Sequence, residues 1–310
     1  MRWYAATLLL LLAGSAAYAQ PAAQPAAPRA GTTPVTAPLT VPFAYVETLA
    51  AANSSTTEKL LERRKDRAIG LVTGLDLPDY LAKLRVWGIT RVLTKTEPVD
   101  PFEVRHFLDM MSDPSSGFGL ISYLESTIQM FNISIDSIEA KTKGIERVIK
   151  HFQVNGYEEG NLYDVRLILE ELINNALFHA FRNAVGEEKY WVNDFVRLAP
   201  EESVRVEYGS DKRYIGFSVT DSAGQLPIDV IIGKLERQYS QEGIFDESGR
   251  GIYLTRMLAS RLVVNLEKDS RTQFIVLFSP HRSAHEIKPF VINYVGEDNF
   301  DEWRSDPDLD

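Results

Sequence analysis

Apolar residues fall at Val165, Ile168, Leu169, Leu172, Ala176 and Ala180, the spacing of a helix with one stripe turned to a core. Glu171, Asn175 and His179 recur at i, i+4 on a neighbouring stripe, so one face packs while the next presents a carboxylate, a carboxamide and an imidazole. Downstream, the alternating run YIGFSVTD predicts a strand that ends at Asp221 and leads into Ser-Ala-Gly-Gln, with Gly224 in the turn. Gly249, Arg250 and Gly251 then precede Ile252, Leu254, Met257 and Leu258, the beginning of another helix. Glycines there let backbone N–H groups approach an anion, and a helix N-terminus favours negative charge. Thr272 opens a final strand in DSRTQFIVLF.

The remaining segments divide by pattern. Residues 1–19 have Arg2, an apolar run through Leu8–Leu12 and Ala17-Tyr18-Ala19, the layout of a signal peptide, and residues 20–42 are a Pro/Ala-rich linker. Residues 43–115 read as an α/β region. Its apolar run Ala68–Val72 ends at Thr73-Gly74, helical spacing follows through Tyr80, Leu81, Leu84 and Trp87, and the strand TRVLTK leads to the helix PFEVRHFLDMM. Residues 116–152, with Phe118, Ile121, Leu124, Ile128, Phe131, Ile135, Ile138, Ile145, Val148 and Ile149, predict a helical connector broken at Gly144, and leave open a role as a homodimer seam. Residues 281–310 read as an appendage ending in an acidic tail.

Composition narrows the classes. The chain has 310 residues, 45% of them hydrophobic, enough for two packed domains. A net charge of −10 argues against a nucleic-acid partner, since the only dense basic run is Arg63, Arg64, Lys65 and Arg67. Without cysteine there is no disulfide, no thiolate nucleophile and no Cys-ligated zinc.

The ordered set formed by Glu171, Asn175 and His179, then Asp221 with Gly224, then Gly249, Arg250 and Gly251, then Thr272, resembles the GHKL family of ATP-binding domains over about residues 140–280. Within it, the branch of anti-sigma-factor serine kinases is the most similar. The resemblance implies an α/β fold, a Bergerat-type two-layer sandwich of mixed sheet and helices, with ATP and Mg²⁺ as cofactors. It implies that Glu171 orients or deprotonates the attacking hydroxyl, that Asn175 holds Mg²⁺, and that Asp221 accepts a hydrogen bond from adenine. By the same resemblance His179, Gly224, Gly249, Arg250, Gly251 and Thr272 belong to the nucleotide site. Ala223 and Gln225 stand where that family has glycines, a departure at the adenine turn. The partner implied is a regulatory protein, anti-anti-sigma-like or sigma-factor-like.

Alternatives stay open at this level. A non-catalytic nucleotide-sensing module fits the altered turn. A histidine-kinase-like protein would need a phospho-accepting histidine, and neither His106 nor His151 is followed by the Glu and Pro pattern of that family. The segment 68–111 is similar to the second half of a response-regulator receiver domain, with Thr73 at the switch hydroxyl and Lys95 at the strand-end lysine. Lys234 or Arg237 on a lid helix is a candidate phosphate contact, with a solvated helix charge as the alternative. Compartment divides the readings: export if residues 1–19 are cleaved, or a cytoplasm-facing protein, with residues 3–19 as a membrane tether, if it uses ATP.

Overall fold

A computed structural model of the chain describes residues 8–13, 43–46, 68–73, 81, 84, 89, 91–94, 100–125, 129–157, 159–191, 196–239, 250–279 and 288–296. The α/β class and the mixed sheet backed by helices agree with the sequence expectation. Strands β1 (Leu8–Ala13), β2 (Phe43–Val46), β3 (Ala68–Thr73), β4 (Arg91–Thr94), β5 (Gln129–Ile135), β6 (Val204–Ser210), β7 (Ile215–Asp221), β8 (Arg261–Glu267), β9 (Arg271–Phe278) and β10 (Phe290–Val295) form one sheet in the order β2-β1-β3-β4-β10-β8-β9-β7-β6-β5. The β5-β6-β7-β9-β8 half is antiparallel throughout, whereas β10 runs parallel to β8 and β3 parallel to β4.

Helices α1 (Pro101–Ser112), α2 (Ile138–Val154), α3 (Glu159–Asn174), α4 (Ile228–Tyr239) and α5 (Arg250–Leu258) cover the sheet. Asp100 caps α1 by accepting from Phe102 N at 2.9 Å, with Pro101 at the first helical position, where its missing N–H costs no hydrogen bond. Ser137 caps α2 in the same manner through Ala140 N. Alternation along the strands splits the buried residues between two faces. Phe217, Val219, Phe274, Val276 and Phe278 join the core beneath α2 to α5. Val263, Ile275, Leu277 and Val291 join a second core with Phe107, Met110 and Met111 of α1. Phe152 of α2 meets Phe278 edge-on at 5.6 Å, and a fully buried phenylalanine of this kind stabilises by roughly 2–3 kcal/mol.

Three sequence expectations change. Residues 129–135, assigned to a helical connector, are the edge strand β5, because Phe131, Ile133 and Ile135 alternate at period two and pair with β6. Gly144 does not break a helix. It lies buried inside α2, where a Cβ would meet Ile135 Cδ1 at 2.7 Å, so its small size lets α2 settle on β5. The segment after residue 281, expected to be an appendage, supplies β10, whose Phe290, Val291 and Ile292 are fully buried between β4 and β8. Through β10 the strands of the 43–115 region continue the same sheet.

Of the signal-like segment, Leu8–Ala13 is described as β1, paired with β2 and β3. The linker 20–42, the acidic run from 297 and Lys95 lie outside the described residues. Among the described residues, no helix is long and apolar enough to cross a membrane.

Candidate nucleotide site

Helix α3 runs into a π-helical turn, Asn175–His179, which widens the backbone where the functional stripe ends. Such turns are costly and concentrate at functional sites. The turn carries Asn175 and His179 to one cavity of about 560 Å³, together with Glu171, Asp221, Gly251 and Thr272. Strand register explains the placement of Asp221 and Thr272. Asp221 closes β7 directly opposite Thr272 of β9, and its carboxylate accepts hydrogen bonds from the Thr272 backbone and side chain. Its Oδ1 also accepts from Ala223 N at 2.9 Å and Gly224 N at 3.1 Å. Burial pushes the Asp221 pKa up, and these four bonds pull against that shift.

The altered turn closes around its one remaining glycine. Gly224 has φ +60°, and a Cβ there would lie 2.3 Å from Glu267 O and 2.4 Å from Ser270 N, so only glycine fits. Ala223 packs on the core, while Gln225 borders the cavity and donates from Nε2 to Asp269 Oδ1 at 2.8 Å. The side chains at 223 and 225 are thus accommodated without opening the turn.

Elsewhere on the lining, α5 comes close to α3. A Cβ at Gly251 would stand 3.1 Å from Glu171 Oε2 and 3.6 Å from Asn175 Nδ2, which brings the start of α5 against the carboxylate and the carboxamide. Thr255 Oγ1 donates to Gly251 O at 2.7 Å and fixes that first turn. Gly249 and the Arg250 side chain lie outside the described residues. Val219, Leu226 and Phe274 give the cavity an apolar side suited to a flat ring.

Residues 137–276 match the family model of the histidine kinase-like ATPase domain. The match, to a GHKL-superfamily domain over slightly less than half of the chain, supports ATP binding in a regulatory protein. No curated protein matches the chain.

The matched region holds further groups that the sequence pattern did not single out. Arg182 and Glu188 pair across a short hairpin whose turn is held by Asn183 Oδ1, which accepts from Val185 N and Glu187 N at 3.0 Å each, with Gly186 at φ +86°. Asn183 followed by Gly186 was the available turn signal. Both Arg182 and Glu188 border the cavity, where they join Lys234 of α4, which the sequence pattern did single out. Lys141 of α2 donates to Asn174 Oδ1 at 2.5 Å; burial lowers its pKa, against the opposing pull of Glu170 and Glu171. Among the described residues there is no group of three or more His, Asp or Glu that could hold a metal by itself. A lone Asn175 carboxamide suits a Mg²⁺ that enters on phosphate oxygens and keeps most of its waters.

The two histidines considered as phospho-acceptors are both buried. His106 of α1 stacks against Phe102 and meets Tyr123 edge-on at 4.5 Å, and His151 of α2 meets the stacked pair Phe131 and Tyr208 edge-on at 5.6 and 5.3 Å.

Proposed function

We propose that the chain is an ATP-dependent regulatory protein that transfers the γ-phosphate of ATP to a serine or threonine hydroxyl on a partner of the anti-anti-sigma or sigma-factor type. The observation that carries this reading is the meeting of Glu171, Asn175 and Gly251 in a cavity that the neighbouring pair Asp221 and Thr272 also lines. Asp221 would accept from the adenine amino group, and the apolar side formed by Val219 and Phe274 would take the ring. The N-terminus of α5 would face the phosphates, and Asn175 would hold the Mg²⁺ that neutralises their charge. Glu171, beside that end, would receive or orient the proton of the attacking hydroxyl. Phosphoryl transfer asks for positioning and charge stabilisation more than covalent chemistry, so this small set suffices. Burial of His106 and His151 favours hydroxyl transfer over a phosphohistidine relay.

A second reading, a nucleotide sensor that holds its partner without transfer, is favoured by the replacement of the turn glycines at Ala223 and Gln225. Titration of the full chain with Mg-ATP, beside Asn175→Ala and Asp221→Ala, followed by incubation with [γ-³²P]ATP and candidate partners, separates the two. Binding lost in both variants together with label on a partner serine or threonine supports the kinase. Binding without transfer leaves the sensor, and no binding by the wild type removes both.

A further inference from the structure

Among the described residues three carboxyl side chains border the cavity, and two already have defined places. Asp221 is committed to Thr272 and the adenine turn, and Glu171 stands against Gly251. The third, Glu188, has an imidazole, a guanidinium and an ammonium around it. Its Oε1 accepts from His179 Nδ1 at 2.9 Å and lies 3.6 Å from Arg182 Nη1. Lys234 feels the same carboxylate: burial lowers the Lys234 pKa, and Glu188 is the charge that opposes the shift. All four side chains border the cavity that contains Asp221, Thr272 and Gly251.

We propose that Glu188 is an internal counter-anion seated in the polyphosphate subsite formed by His179, Arg182 and Lys234, and that nucleotide binding displaces it. The inference rests on the ATP-binding reading and adds which residues take the phosphate chain and what occupies their place beforehand. A nucleoside triphosphate brings several negative charges to the cluster, more than the single charge of Glu188, so exchange is favoured once Mg²⁺ and the adenine end are engaged. Solvent access allows that exchange. The side chains of His179, Arg182 and Glu188 are 50%, 40% and 29% exposed, so the pair can open at little desolvation cost. Glu188 also sits on the hairpin whose turn at Asn183–Gly186 is held by local hydrogen bonds, while Phe181 and Tyr190 on either side anchor its base to the core, so the Glu188 side chain can swing away without moving that anchor. Because displacement favours ligands with a longer phosphate chain, Glu188 sets discrimination between nucleoside triphosphate and monophosphate.

The test is isothermal titration of the full chain and of Glu188→Gln with Mg-ATP and with AMP at fixed salt, each variant's folding being checked by thermal denaturation. Glu188→Gln is expected to bind Mg-ATP about fivefold tighter while AMP changes less than about twofold. In the Glu188→Gln background, Arg182→Gln or Lys234→Gln should remove that gain. Glu188→Ala serves as a second variant and should shift Mg-ATP affinity in the same direction. Wild-type binding of Mg-ATP with no gain in either Glu188 variant, or an equal gain for AMP, overturns the subsite while leaving ATP binding intact. Absence of Mg-ATP binding in the wild type and both variants overturns the two together.

Discussion

Two acid–base clusters lie on opposite faces of the sheet. On the α1 face, Glu103 approaches Arg261 of β8 at 3.2 Å with each side chain 1% exposed, and Arg261 also lies 5.1 Å from the Tyr123 ring. On the cavity face, Glu188 meets His179 and Arg182 at comparable distances, but water reaches all three. Similar chemistry therefore has different consequences. A buried pair has no solvent to replace a lost partner, so it ties α1 to the sheet. A half-exposed pair is cheap to open, so its cations remain available to a ligand.

The largest effect should come from breaking the buried cluster. Glu103→Ala leaves Arg261 without its counter-charge in an apolar site and should cost about 3–5 kcal/mol, read from the denaturant midpoint. The double variant Glu103→Leu with Arg261→Met should recover most of that loss. On the cavity face the largest expected effect is on binding. Asp221→Ala should weaken Mg-ATP by about 30-fold, or about 2 kcal/mol, for loss of a hydrogen bond to a charged acceptor, measured by titration.

A pH series sharpens the contrast further. His106 lies beside the buried pair, and burial, with a smaller contribution from Arg261, lowers its pKa to about 4. The folded protein keeps this imidazole neutral while the unfolded chain takes up a proton near the ordinary 6.5. Between those values the unfolded state binds more protons, so stability falls as pH drops from 6.5 towards 4. The loss through His106 should reach about 2 kcal/mol by pH 4.5, and His106→Gln should flatten the thermal-denaturation profile over that range. The smallest effect belongs to the exposed cluster. Glu188→Gln should leave unfolding within about 0.5 kcal/mol of wild type, and a larger loss would show that its ion pairs are structural.

Legibility in the sequence followed the same division. The helix bearing Glu171, Asn175 and His179 could be read because period 3.6 separates its apolar stripe from its polar one. The strand ending at Asp221 could be read because alternation stops there. Period two was missed at β5, where Phe131, Ile133 and Ile135 were absorbed into a longer helical register with Ile128 and Ile138. β10 was missed because six residues beyond the last family-like strand carry too little pattern to distinguish a central strand from a tail.

Local order along the chain determined the elements and most of the chemistry: which helix offers carboxylate, carboxamide and imidazole, which strand ends in an aspartate, and where glycines precede a helix. Tertiary structure alone decided which of these groups share a space. The β7–β9 register sets Asp221 beside Thr272, the close approach of α5 to α3 sets Gly251 against Glu171, and the hairpin brings Glu188 to His179 from nine residues away. Periodicity reports the direction a side chain takes from its own backbone. Contact between charges depends on how separate elements pack, and burial on both faces of the sheet fixes that arrangement.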